Sequence, residues 1–258
     1  MTWLIDLDGV VWLSGRPIPG SAEAVERLRQ SGEKVVFFTN NSVPTVADHL
    51  AALADAGIEA APEEILTSSQ AAASLLDPST RAAAIGGPGV TEALKDRGVE
   101  VVAADTDPDA VVVGRTTDLS FDLLAAAATA IRNGARFIAT NTDATMPTPT
   151  GPSPGAGALV AFLQVASGKE PEVAGKPAPA AAALVAARVG HVEVSVGDRP
   201  ETDGLFTQAT KSRFALVLSG VASRDDLPVQ PTPELIGDTL AAIVDQVLGS
   251  PLVPPAGN

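Results

Sequence analysis

A pair of aspartates placed where an apolar strand should continue constrains this chain most. Trp3-Leu4-Ile5 precedes Asp6 and Val10-Val11-Trp12 follows Asp8, so the stretch otherwise reads as one buried parallel strand. In an extended chain alternate side chains share a face, which puts Asp6 and Asp8 on one side at the strand's end. Like charges beside a core repel each other and resist desolvation. A divalent cation relieves both penalties, and a hard cation such as magnesium takes oxygen ligands. A second acidic patch, GDRPETD, carries Asp198 and Asp203. Together the two patches point to metal-assisted phosphate chemistry.

Composition narrows the field. The 258 residues suffice for one large domain or two ordinary ones, and 45% hydrophobic content supports a real core. A net charge of −14 offers no field for a polyanion, and with 3% aromatic residues and no Tyr, base-stacking platforms are scarce. Nucleic acid is therefore not an expected partner, whereas a small phosphorylated metabolite is. The absence of Cys removes thiol nucleophiles and cysteine-ligated metals, and two histidines are too few for a multi-histidine site. His49 and His191 read as surface or helix-end residues. The chain enters a strand at once and no run approaches membrane-spanning length, so the expectation is a cytoplasmic protein with no membrane partner.

Strand-like and helix-like segments alternate, the signature of an α/β fold with a parallel sheet. Helices are expected at Ala22–Gln30, from Pro44 to Gly57, Ser69–Leu76, Val90–Arg97, Phe121–Asn133, Ala158–Ala166, Ala178–Ala187, Glu201–Ala209 and Leu235–Leu248. Strands are expected at Lys34–Phe38, Ala82–Ile85, Glu100–Val102, Ala110–Val113, Arg136–Ala139, Val192–Val196 and Arg213–Leu218. The turn Asp77-Pro78-Ser79 and the stretch Gly168–Gly175 read as boundaries of an inserted segment. The expected division is a core domain of residues 1–77 and 174–258 and an α/β cap of residues 78–173. Met146–Gly157 reads as a Pro/Gly-rich loop, and the tail Pro251–Asn258 as loose. TNN at Thr39 and TNT at Thr140 each follow a strand, a faint internal echo.

Open α/β sheets bind ligands at the carboxyl ends of their strands. Asp6 and Asp8, Thr39-Asn40 and Asp198 all fall there. Lys176, before Pro177, reads as lying near a helix N-terminus, where anions are favoured. DLDGV, FFTNN, GKP and GDRPETD, in that order, resemble the four motifs of the haloacid dehalogenase superfamily of aspartate-nucleophile phosphatases. VVVGRTTDLSFDLLAAA, FIATNTD and PGAGALVAF look like the cap of its type IIA branch, which contains 4-nitrophenyl phosphatase-like, phosphoglycolate phosphatase-like and pyridoxal phosphate phosphatase-like enzymes.

The resemblance implies a Rossmann-like core, an inserted α/β cap and a magnesium-dependent phosphatase of small phosphomonoesters. Asp6 would be the nucleophile that forms an aspartyl-phosphate, and Asp8 the general acid and then base. Asp6, the Asp8 backbone carbonyl and Asp198 would bind magnesium, with Asp203 completing or orienting that shell. Thr39, Asn40 and Lys176 would hold the phosphoryl oxygens. The cap implies specificity contacts, for which Asn141, Asp143 and the Met146–Gly157 loop are candidates, and a homodimer through the cap. A phosphotransferase or mutase uses the same intermediate where a cap excludes water, and a non-catalytic phosphometabolite binder or phosphorylation sensor is the more distant alternative. The match Gly151-Pro152-Ser153-Pro154-Gly155 to a serine nucleophile elbow fails, because that motif needs a strand directly before Ser and a helix directly after it. After Asp203, Gly204 and the Ala209–Ser212 turn depart from the family pattern and predict altered local packing.

Overall fold

The computed structural model describes residues 1–148 and 150–249. The chain begins with β1 (Thr2–Ile5), a two-stranded ribbon of β2 (Trp12–Leu13) and β3 (Arg16–Pro17), and helix α1 (Ser21–Gln30). Then come β4 (Lys34–Thr39), α2 (Val46–Asp55), β5 (Ile65–Thr67) and α3 (Ser68–Ser74). The middle of the chain contains β6 (Arg81–Ile85), α4 (Pro88–Asp96), β7 (Glu100–Val102), β8 (Ala110–Val113), α5 (Phe121–Arg132) and β9 (Arg136–Ala139). A hairpin, β10 (Thr145–Thr148) and β11 (Gly151–Pro154), leads to α6 (Ala156–Ser167), β12 (Glu172–Val173) and α7 (Pro179–Arg188). The last elements are β13 (Val194–Gly197), α8 (Leu205–Thr210), β14 (Arg213–Val217), β15 (Leu235–Gly237) and α9 (Leu240–Leu248).

These elements fall into two compact units. The first comprises Met1–Val36, Ala56–Ile58 and the chain from Val192 onward. Its strands run parallel in the order β15-β14-β13-β1, in a register that sets Ile5 beside Val196 and Val196 beside Ala215. Parallel pairing brings the carboxyl ends of β1 and β13 to the same edge, so residues 6 and 198 leave the sheet side by side. Both strands are almost wholly buried, and α1 and α9 pack together through apolar faces that include Val25, Leu28, Ile243 and Val244.

The second unit comprises Phe37–Asp55 and Glu59–His191, so β4 begins in the first unit and ends in this one. Here the end of β4 pairs in parallel with β5, Thr39 beside Thr67. A five-stranded sheet in the order β12-β9-β8-β6-β7 is parallel at every pair. Ile85, Val111, Val113 and Phe137 from this sheet pack against Leu124, Ala127 and Ile131 of α5 and Leu163 of α6. Local chemistry sets the helix ends. The Thr67 hydroxyl accepts from Gln70 N–H at 3.1 Å while the Gln70 amide oxygen accepts from Thr67 N–H at 3.2 Å, a capping box that opens α3. The Ser120 hydroxyl caps α5 by accepting from Leu123 N–H at 3.1 Å.

Several elements differ from expectation for identifiable reasons. The run through Val10, Val11 and Trp12 does not extend β1. The Leu7 carbonyl accepts from the N–H groups of all three at 2.9–3.3 Å, and the chain folds into a tight turn whose apolar side chains are still buried. Leu235–Gly237 is a strand rather than the first turn of a helix, because the Thr239 hydroxyl caps α9 by accepting from Ala242 N–H at 3.4 Å. The helix expected over Glu201–Ala209 opens as a π-helical turn, Pro200–Gly204, in which the Arg199 carbonyl accepts from Thr202, Asp203 and Gly204 N–H. Pro179, not Pro177, occupies the first position of α7, so Lys176 lies in the loop ahead of that helix. His49 is not a surface residue but is 2% exposed within α2, while His191 is exposed as expected. The short strands β5 and β12 and the hairpin β10–β11 were too short or too rich in proline to register as strands. The tail Pro251–Asn258 lies outside the described residues.

Candidate active site

In the first unit three carboxylates converge. One carboxylate oxygen each from Asp6, Asp198 and Asp203 lies within 4.8 Å of the others, and all three residues are buried. Asp6 directly follows β1, and its N–H donates to the Val196 carbonyl at 2.9 Å, so the sheet itself aims the side chain. Asp198 follows β13 and accepts from Val221 N–H at 2.7 Å. Asp203 is turned back by the π-helical turn and accepts from Arg199 N–H at 3.2 Å. Carboxylates this close repel one another, and a bound cation relieves that repulsion. An all-oxygen donor set of this kind fits magnesium.

The loop between Asp6 and Trp12 provides the surroundings. Gly9 has φ of +88°, and a Cβ there would lie 2.5 Å from Asp198 Cγ, so both conformation and space require glycine. Gly220 is packed against Asp198 from the loop after β14, and Ser219 Oγ donates to the Gly9 carbonyl at 2.7 Å. Asp8 is half-buried and its carboxylate is not one of the converging three; Trp12 Nε1 donates to its Oδ1 at 3.1 Å. The supporting segment Ser219-Gly220-Val221 was missed in the sequence, where a glycine after a strand signals only a turn.

In the second unit the strand ends at Thr39 and Thr140 meet. Thr39 is buried, and its Oγ1 accepts from Asn41 N–H at 2.9 Å. The Asn40 side chain clamps the backbone of Lys176: Nδ2 donates to the Lys176 carbonyl at 3.0 Å and Oδ1 accepts from Lys176 N–H at 2.9 Å. Asn40 Nδ2 also lies 3.4 Å from Asp143 Oδ2. Asn141, 4% exposed, donates from Nδ2 to the Asn40 carbonyl at 2.7 Å and accepts at Oδ1 from Asp143 N–H at 3.1 Å. Ser68 Oγ donates to the same Asn40 carbonyl at 2.8 Å. Lys176 is 5% exposed; its Nζ donates to the Phe38 carbonyl at 3.0 Å and lies 5.5 Å from the centre of the Phe38 ring. Gly175 makes this approach feasible, since a Cβ there would lie 2.7 Å from Asn40 Oδ1. Behind the loop, burial holds the His49 pKa below its ordinary value, opposed by a hydrogen bond to the Asn41 backbone and by the Asp48 charge.

The sequence matches the model of the haloacid dehalogenase-like hydrolases over residues 3–100 and that of the HAD-hydrolase-like proteins over residues 173–243. It is 34% identical over 241 residues to a dihydroxyacetone phosphatase of Corynebacterium glutamicum, covering 90% of this chain and 87% of that one. The fold superimposes on a p-nitrophenyl phosphatase from Archaeoglobus fulgidus with a TM-score of 0.88 and 31% identity, over 95% of this chain and 98% of the other. It matches the glycerol phosphate phosphatase from Mycobacterium tuberculosis in complex with magnesium with a TM-score of 0.87 and 36% identity, over 94% and 75% of the two chains. The chain belongs to the haloacid dehalogenase-like hydrolase family. Within it the protein is a type IIA enzyme with a Rossmann-like parallel-sheet core, a phosphoric monoester hydrolase. Among the described residues no helix is long and apolar enough to cross a membrane.

Proposed function

We propose that this enzyme is a magnesium-dependent phosphatase that hydrolyses a small phosphorylated metabolite through an aspartyl-phosphate. The observation that carries the reading is the trio of buried carboxylates of Asp6, Asp198 and Asp203. Those three, with the Asp8 backbone carbonyl, would hold the ion, which when bound neutralises charge on the acids and on the phosphoryl group. The magnesium in the structure of the Mycobacterium tuberculosis relative supports that choice.

A carboxylate oxygen of Asp6 bonds to phosphorus as the ester P–O bond breaks, and the departing alkoxide takes the proton of Asp8. Water then gives a proton to the Asp8 carboxylate and bonds to phosphorus as the acyl-phosphate bond breaks. Inorganic phosphate leaves and both aspartates are restored. The indole hydrogen bond from Trp12 orients Asp8 for both transfers. Thr39 and Lys176 would meet the phosphoryl oxygens, whose charge spreads in a loose transition state, while the side chain of Asn40, expected to join them, is engaged with the backbone of Lys176.

The relatives named for dihydroxyacetone, glycerol phosphate and acid sugar substrates favour a polyol or sugar phosphate. Residues 78–173, which contain the complete five-stranded sheet, are the cap that selects it. A homodimer formed through that cap belongs to the same reading, and Phe121, 76% exposed on α5, is the residue that probes it. The reading is tested by phosphate release from a panel of phosphomonoesters with magnesium and with chelator, using Asp6→Asn as control. Magnesium-dependent release abolished in the variant is expected; release that persists in Asp6→Asn refutes the nucleophile.

A further inference from the structure

The echo between Thr39-Asn40 and Thr140-Asn141 is a physical junction. The two strand ends, 101 residues apart, are joined by the 2.7 Å bond from Asn141 Nδ2 to the Asn40 carbonyl. Thr140 Oγ1 adds a bond to Ser42 Oγ at 3.1 Å, and the Thr140 carbonyl accepts from Gly175 N–H at 2.7 Å. Asn141 uses both ends of its amide within this junction, and Asn40 uses both ends of its own on Lys176 and Asp143. The amides therefore form a relay: Asn141 holds the Asn40 peptide, and Asn40 holds the backbone of Lys176 from both sides.

Resting on the phosphatase reading, we infer that Asn141 and Asn40 are positioning residues of the reaction, acting through Lys176 rather than on the substrate. A lysine ammonium is a mobile point charge on a flexible stem, and its use against a phosphoryl group depends on where its backbone is fixed. Nζ is already held by the Phe38 carbonyl and the Phe38 ring, so the clamp completes a side chain fixed at both ends. Asp143, bonded to both amides, is the member of the relay on the approach from residues 142–157. In Asn141→Ala the Asn40 carbonyl retains its bond from Ser68, so no buried acceptor is orphaned and the fold should survive.

The test is a double-substitution cycle of Asn141→Ala with Lys176→Ala, read as kcat and KM with magnesium and as the affinity for inorganic phosphate by calorimetry. Asn141→Ala should lower kcat and weaken phosphate binding by roughly tenfold to a hundredfold, as loss of an orienting partner does. In the Lys176→Ala background the same change should alter either by less than about twofold, because the residue it positions is gone. Asn141→Asp keeps the volume and the acceptor for Asp143 N–H but sets a carboxylate against the Asn40 carbonyl; it should match Asn141→Ala. Equal losses in both backgrounds, a change in KM alone, or wild-type behaviour of Asn141→Asp overturns the relay. If the wild type releases no phosphate from any ester but binds phosphate, the phosphatase reading fails and the phosphate cycle alone decides the relay. Absence of both turnover and phosphate binding refutes the two together.

Discussion

Gly220 is the position where a single methyl group should separate metal binding from folding. Its φ lies outside the left-handed region, so alanine adds no conformational strain, but the new Cβ would overlap Asp198 Oδ2 and sit 2.5 Å from its Cγ. The Asp198 carboxylate must swing away. It then loses the 2.7 Å bond from Val221 N–H and withdraws one oxygen from the cluster it shares with Asp6 and Asp203. A hydrogen bond to a charged group contributes about 1.5–3 kcal/mol. Carried into metal binding, that is a rise of roughly tenfold to a hundredfold in the magnesium concentration for half-maximal activity. The control is Gly15→Ala: its φ is +76° and nothing lies within 4 Å of its Cβ. It should lower stability by about 1–2 kcal/mol through backbone strain alone. Magnesium titration of phosphate release and metal-free melting curves read the two effects. Both variants should melt a few degrees lower, and only Gly220→Ala should need more magnesium. Wild-type magnesium dependence in Gly220→Ala would refute the claim that this glycine sets Asp198 for the metal.

Lys176→Ala should lower kcat by about a hundredfold or more while leaving the melting temperature within a few degrees, since the site is organised for charge stabilisation; an unchanged rate would remove the lysine from the reaction. His49 is buried neutral, with a folded pKa held below the ordinary value chiefly by burial. The unfolded chain therefore takes up its proton first, near pH 6.5. The stability His49 contributes is complete above that pH and is lost as pH falls towards the folded pKa. His49→Gln, which keeps an N–H donor but does not titrate, should flatten the melting temperature between pH 7 and pH 5, and an unchanged slope refutes the assignment. Phe121→Asp should convert a dimer to a monomer in light scattering without loss of turnover per chain; a monomeric wild type refutes the cap interface.

The sequence exposed the fold wherever apolar runs had a helical or strand period, and the boundaries of β7, β8 and β9 coincide with expectation. It was blind where hydrogen bonding outweighed the pattern. The turn at Leu7 ends β1 although Val10-Val11-Trp12 is as apolar as the strand before it, and Thr239 starts α9 although Leu235 and Ile236 suit a helix. Asp6 was legible because an acid at the end of a buried apolar strand needs compensation, and Asp198 and Asp203 because GDRPETD gathers acids after another strand. The amides were not. Asn40 and Asn141 read as residues facing a ligand, whereas their partners are backbone groups of residues 40, 143 and 176 and the Asp143 carboxylate, which no side-chain pattern reveals. Ser68 and Ser219 carried no signal, because a serine after a strand is among the commonest turn residues.

The pairing of β1 with β13 also sets an order of assembly. The backbone of Thr2 donates to a glutamate 191 residues further along the chain. At about 5–20 residues per second, ribosomal synthesis of the intervening segment takes roughly 10–40 s. During that interval Trp3, Leu4 and Ile5 have no strand at β13 to join, while the whole of the second unit is made. Until then Asp6 follows a strand whose β13 side is open, and the acids at 198 and 203 are not yet beside it. A product that stops before residue 203 lacks the complete acidic cluster, so the metal-binding trio depends on chain made about 190 residues after its first member.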